Sequence, residues 1–372
     1  ELKVALNPIG RTNLLKKVSR PLGASFELEY TRDGNTYELP QSRWLLTQVA
    51  VHDGHSGDGA DQQRRTIEYR EPNYNRLERD FYGQLDTLNG NSPYRAVTRE
   101  FRTDSFYAKG LLARELLQDG QGRPFTETEN QYQLRDEATG SELGDPLSTT
   151  ATVFPQLIRT DKRFYEGGSS PGKSTYTTHA YDQYGNVRTF ADAGDTAATD
   201  DVAANIDYSW QDSACVTRHI VGLARKIEVY GNGALLRHRL ATIDCLTGDV
   251  KQVTQYLADG KAATTDLAYF ENGNLKTVTG PLNKNNQRYA LNYEYDPAVA
   301  THVARITDSF GLSSQATHNV LFGRIETTTD TNGNQSTYFY DAVGRVDKIV
   351  GPYEQGQAQA TIDFDYSTVE TG

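Results

Sequence analysis

Apolar and polar residues alternate along short stretches of this chain, and the stretches close on glycine-bearing turns. Ser25-Phe26-Glu27-Leu28-Glu29-Tyr30 alternates with period two and runs into Arg32-Asp33-Gly34-Asn35, the pattern of a half-buried strand entering a hairpin. Arg65-Thr66-Ile67-Glu68-Tyr69 and Ala96-Val97-Thr98-Arg99-Glu100-Phe101 read the same way. The apolar run Gly110 to Leu117 is compatible with one or two helical turns, but Asp119-Gly120-Gln121-Gly122 ends it early, so a strand is predicted. Between 140 and 155 the chain is rich in Gly, Ser, Thr and Pro, which marks either a boundary or a long loop. The expected division is an irregular antiparallel β region over 1–150 and a repeat region over 151–372.

The repeat is visible as a recurring heptad of residue types. Tyr181-Asp182-Gln183-Tyr184-Gly185-Asn186-Val187 is matched by Tyr340-Asp341-Ala342-Val343-Gly344-Arg345-Val346. Looser copies run from Asp244 through Gly248 to Val250, from Tyr269 through Gly273 to Leu275, and from Asn319 through Gly323 to Ile325. Glycines at 248, 273, 323 and 344 give intervals of 25, 50 and 21 residues, and a degenerate copy at Tyr295-Asp296 fills the double interval. A fixed period of this kind is the signature of a repeat architecture. Each unit reads as a strand ending in Tyr, a turn opened by Asp and closed by Gly, and a strand beginning with an aliphatic residue. Asp suits the first position because its carboxylate accepts from nearby backbone N–H groups, and Gly supplies positive φ. A second turn, as at Asp330-Thr331-Asn332-Gly333, returns the chain, so every unit is a hairpin.

These units resemble the YD/RHS repeats of bacterial polymorphic toxins, teneurins and insecticidal toxin complexes. The first half is similar to the middle region of the B component of the insecticidal complexes, on Gly10-Arg11-Thr12-Asn13-Leu14-Leu15, Arg20-Pro21-Leu22-Gly23, the stretch Tyr30 to Pro40, Asp53-Gly54, Arg76-Leu77-Glu78-Arg79-Asp80-Phe81-Tyr82-Gly83 and Phe101-Arg102-Thr103. The resemblance implies an all-β antiparallel spiral that forms the wall of a hollow shell around a C-terminal toxin segment. It also implies secretion or display at a bacterial cell surface and contact with other toxin-complex subunits. In that family an aspartyl self-cleavage motif of Asp-Pro-x-Gly type closes the shell. Asp145-Pro146 and Asp296-Pro297 are not followed by it, so no catalytic residue is carried over.

Composition agrees with a folded β chain. Hydrophobic residues make up 37 % of the 372 positions, yet aromatics reach 10 %, with 23 Tyr; a disordered chain is short of aromatics, and rings and β-branched side chains suit a pleated surface. So few apolar residues predict sheets wetted on much of both faces. The net charge of −11 argues against nucleic acid as a partner, and no apolar run is long enough for a membrane helix. The chain opens on Glu1 and contains no Met, which predicts a fragment or processed product.

Candidate chemistry is sparse. No His-Glu-x-x-His helix is present, and an enzyme is not expected. The loop His52 to Asp61 places Asp53, Asp58 and Asp61 among glycines, a set of hard oxygen ligands for Ca²⁺ or an ordinary solvated turn; no other cofactor is expected. Cys215 and Cys245 flank a predicted hairpin turning at Gly231-Asn232-Gly233, as a disulfide or as two separate thiols. The tyrosine stripe has two readings. Wedged between units it is packing, and exposed on one face it is a platform for an adhesin or carbohydrate-binding module.

Overall fold

The alternating stretches become strands that pair with their neighbours in sequence. The structure, a computed structural model, describes residues 14–364 except 21–22, 56, 58–60, 77–78, 91–94, 146–147, 149, 196–198 and 258. Asp58, Leu77, Glu78, Pro146, Pro21, Leu22 and the Gly10–Asn13 part of the first motif lie outside the described residues. Two compact units are formed, one by 1–205 with 230–234 and the other by 206–229 with 235–372.

The first unit carries β1 (Lys17–Ser19), β2 (Ser25–Asp33), β3 (Arg43–His52), β4 (Gln62–Asn75), β5 (Asp80–Gly90), β6 (Ala96–Phe101), β7 (Leu112–Gln118), β8 (Pro124–Asp136), β9 (Val153–Phe164), β10 (Lys173–Tyr181) and β11 (Val187–Asp192). Each strand pairs antiparallel with the next, and β11 pairs with the start of β12 (Val202–Tyr208). Residue 150 falls in the loop between β8 and β9, which pair from Thr126↔Phe164 to Asp136↔Val153. The Gly- and Ser-rich composition there makes a long hairpin connection, and the compact units divide instead near residue 205.

After β12 the chain makes a 3₁₀ turn (Ser209–Gln211) and a short helix α1 (Ser213–Thr217), whose N-cap Asp212 accepts from the Ala214 N–H. Then come β13 (Ala224–Gly231) and β14 (Ala234–Ile243), joined by Asn232 and Gly233, both at positive φ. That pair of left-handed residues is what a two-residue type I′ turn requires. The second unit continues with β15 (Val250–Tyr256), β16 (Ala262–Tyr269), β17 (Leu275–Leu282), β18 (Arg288–Tyr295), β19 (Val303–Asp308), β20 (Ser313–Asn319), β21 (Arg324–Thr329), β22 (Gln335–Tyr340), β23 (Val346–Val350) and β24 (Ile362–Asp363). From β14 to β24 every sequential pair is antiparallel.

Burial is shallow and spread over both faces. Among the described residues the buried apolar side chains are Leu39, Ala50, Ala108, Leu134 and Cys215, while β6, β7 and β19 are half-buried at every position. Strands that bury so few apolar side chains cannot rest on a thick core, so their cohesion falls on ladder bonds and on what joins one hairpin to the next.

Candidate functional site

The repeat residues form two devices, a capped turn and a tyrosine pin. In the turn at 182, the Asp182 N–H donates to the Asn186 carbonyl (2.9 Å) and the Gly185 N–H to the Asp182 carbonyl (3.2 Å). The Asp182 carboxylate accepts from the N–H groups of Tyr184 (2.8 Å) and Asn186 (3.0 Å) and from the Asn186 side chain (2.9 Å). At 341 the same carboxylate position accepts from Val343 N–H (3.0 Å), Arg345 N–H (2.9 Å) and Arg345 Nε (2.7 Å). The Asn or Arg after the glycine therefore has a reason, since it reaches back to the capping carboxylate. Gly185 and Gly344 sit at φ of 82° and 80°, left-handed backbone that other residues adopt at a cost. The turn glycines of the looser copies, Gly248, Gly273 and Gly323, take the same conformation at 84°, 85° and 62°. Asp119 with Arg123 and Asp330 with Asn334 build the identical turn at the opposite ends of strands. Burial pushes the Asp341 carboxyl up, but the donors from Arg345 and Val343 outweigh it and hold it below the usual range. The Asn334 side chain and the backbone N–H groups do the same for Asp330.

The pin is made by the tyrosine that ends the strand before the turn. Tyr181 donates its hydroxyl to the Leu157 carbonyl (3.0 Å), Tyr269 to that of Val250 (3.0 Å) and Tyr340 to that of Ile325 (2.6 Å). Each acceptor is an aliphatic residue on the preceding strand. On its other side the same tyrosine pairs with the first aliphatic residue of the following strand, at Tyr181↔Val187, Tyr269↔Leu275 and Tyr340↔Val346, each across a bulge. One residue thus touches three consecutive strands, just where the bulge interrupts the ladder. Burial raises all three phenols above their ordinary value. The Tyr181 ring also stands edge-on to Phe154, with centroids 5.5 Å apart. The motif rings are half-buried between strands, the arrangement of packing elements.

The first unit uses the same pin, which the sequence pattern did not show. Tyr30 donates to the Leu15 carbonyl (3.1 Å), Tyr69 to Leu46 (3.0 Å) and Tyr132 to Leu112 (3.2 Å). Tyr30↔Leu46 and Tyr132↔Leu157 are again bulged pairs. Leu46 and Leu157 therefore each serve two tyrosines, one by pairing and one through the carbonyl. These tyrosines and their aliphatic partners lie inside their strands, away from the turns, so the Tyr-turn-aliphatic spacing that marks the repeat is absent from them.

A second group missed in the sequence is an ionic ladder across β6 to β9. Glu127 is 6 % exposed and accepts from Arg114 Nε (2.6 Å), Arg163 Nη1 (3.1 Å) and the Tyr165 hydroxyl (2.7 Å). Arg114 and Arg163 reach outward to Glu100 (2.6 Å) and Glu129 (2.7 Å). Burial pushes Glu127 up, but the three donors overcome it and hold its carboxyl below the usual range. A carboxylate so committed is a strap between strands and is ill suited to proton transfer.

Cys215 and Cys245 are joined in a disulfide with Cα atoms 4.4 Å apart, tying α1 to the turn opened by Asp244. In the acidic loop, Asp53 caps its own turn by accepting from the His55 N–H (2.9 Å), and its N–H donates to the Asp61 carbonyl (3.2 Å). Asp58 is outside the described residues, so the three carboxylates are not seen together.

Residues 1–115 match the family model described as insecticide toxin TcdB middle/N-terminal region. No curated protein matches the chain in sequence. In fold, the chain is similar to a crystal structure of TcdB2-TccC3, at a TM-score of 0.65 and 13 % identity, covering 91 % of this chain and 25 % of that one. A TcdB2-TccC3 structure without the hypervariable C-terminal region matches at 0.63 and 13 %, covering 91 % and 24 %. A Tc holotoxin pore structure from Photorhabdus luminescens matches at 0.61 and 13 %, with the same coverage. The chain resembles the B component of such complexes and spans about a quarter of the length of the structures it matches. The all-β hairpin fold is shared with them.

Proposed function

We propose that this chain is a wall segment of a hollow β-shell that encloses and protects a C-terminal toxin in a secreted bacterial toxin-complex protein. The observation that carries the reading is the tyrosine pin. It recurs in both units and ties a strand to the one before it through a side chain, a link that hairpin ladders alone do not supply. Such a wall acts sterically, by keeping proteases and the producing cell apart from its cargo, and needs neither a catalytic residue nor a cofactor. Its partners are the enclosed toxin segment and other toxin-complex subunits. The adhesin alternative asked for motif tyrosines exposed as a platform, and half-buried rings with committed hydroxyls favour the wall.

The test is limited proteolysis of the whole parent protein, following its C-terminal segment by mass spectrometry with the shell native and then opened by denaturant. Survival of that segment only within the native shell supports containment. Equal digestion in both states overturns it.

A further inference from the structure

One copy of the repeat breaks its own rule. Where the other copies open the turn with Asp182, Asp244, Asp296, Asn319 or Asp341, this one has Phe270. The backbone turn survives, with the Phe270 N–H donating to the Asn274 carbonyl (2.8 Å) and the Gly273 N–H to the Phe270 carbonyl (3.0 Å). What is lost is the capping carboxylate, replaced in part by Asn272 Oδ1, which accepts from the Asn274 N–H (3.1 Å). A local rule broken without a structural gain is where function is expected.

The ring that replaces the cap faces an open groove of about 740 Å³. Phe270 is 38 % exposed and meets Tyr295 edge to face at 6.1 Å. The far wall is the neighbouring turn at 296–300, longer than the other turns of the motif. Lys276 is the extra residue of the bulge between Ala268↔Thr277 and Tyr269↔Leu275, and its ammonium stands 5.5 Å from the Phe270 ring centre. Bulges re-aim side chains in this way. Glu271 and Glu294 also line the groove.

From this we infer that the groove at Phe270 is a binding site for a neutral saccharide. A pyranose presents a C–H face, which suits an exposed aromatic ring, and a rim of hydroxyls, which suits mixed donors and acceptors. Lys276 supplies the donor and Glu271 and Glu294 the acceptors. A cationic ligand would compete with Lys276 for the ring, and three carboxylates, Glu271, Glu294 and Asp296, against one ammonium repel acidic sugars.

Isothermal titration of the 372-residue chain with methyl β-glucopyranoside, N-acetylglucosamine and sialyllactose tests the site. The neutral sugars are expected to saturate with Kd of about 1 mM, and sialyllactose is expected to bind more weakly. Phe270→Asp restores the repeat's own cap, so it should keep or raise the thermal midpoint while weakening sugar binding by about tenfold or more. Phe270→Leu, which keeps apolar bulk without a ring, gives the same loss if the aspartate variant does not fold. Saturation by neither neutral sugar, tighter binding of sialyllactose, or undiminished binding by the folded Phe270 variant overturns the inference.

Discussion

Removing the hydroxyl from Tyr269 and Tyr340 tests whether the pin holds the wall. Tyr→Phe keeps the ring and deletes one hydrogen bond, leaving the Val250 or Ile325 carbonyl without that donor. The net value of such a bond is about 1 kcal/mol, rising towards about 2 where the acceptor is left half-buried and unsatisfied. The two tyrosines lie on β16 and β22, six strand steps apart, which is roughly 29 Å along the ladder. The Val250 acceptor is half-buried and the Ile325 acceptor exposed; sites that far apart add, so the double variant should lose about 2–3 kcal/mol. For a unit of this size each kcal/mol moves the thermal midpoint by about 2–4 °C. Tyr289→Phe is the control, because that side chain is 47 % exposed and its hydroxyl makes a 3.3 Å surface contact with Asp308; its cost should stay within about 0.5 kcal/mol. Scanning calorimetry of the four variants decides the matter. If Tyr269→Phe and Tyr340→Phe change stability no more than Tyr289→Phe does, the pin contributes nothing and the reasoning fails.

Opening the Cys215–Cys245 disulfide, which spans 30 residues, should cost about 3.5 kcal/mol by the chain-entropy relation; urea midpoints with and without reductant, and for Cys215→Ser/Cys245→Ser, will show it. Glu127→Gln leaves Arg114 and Arg163 facing a neutral group in a nearly closed site and should destabilise by about 3 kcal/mol, read as a lowered urea midpoint that Glu129→Gln does not reproduce. The turn carboxylates Asp119, Asp244, Asp330 and Asp341 are all held below their ordinary value. Their folded pKa values are depressed, so the stability they add is complete well above the unfolded value of about 3.9 and is lost as pH falls from there through the lower folded values. Urea midpoints should therefore fall progressively as pH drops below about 5, and a flat profile there would contradict the capping role.

The turns were legible because their energetics are local. Asp182 bonds to Tyr184 and Asn186, residues two and four places on, so Tyr-Asp-x-x-Gly-Asn specifies its own geometry wherever it occurs. The pins at Tyr30 and Tyr132 were illegible because the interval from the tyrosine to its aliphatic partner varies. The interval runs from Tyr181 to Val187 in the repeat but from Tyr30 to Leu46 and from Tyr132 to Leu157 before it, and variable length hides a period. The ionic ladder was hidden for a different reason, since Arg114, Glu127 and Arg163 belong to three strands and look like ordinary surface charges one strand at a time.

What the sequence by itself determined is the menu of elements: alternation made the strands, and Asp and Gly at set positions made the turns, because both depend on neighbours a few residues away. Only the tertiary structure decided which carbonyl each tyrosine meets, that Cys215 joins Cys245, and that Phe270 opens onto a groove. Those contacts depend on strand register across 15 to 30 residues of chain, and register is set by all the hairpins together.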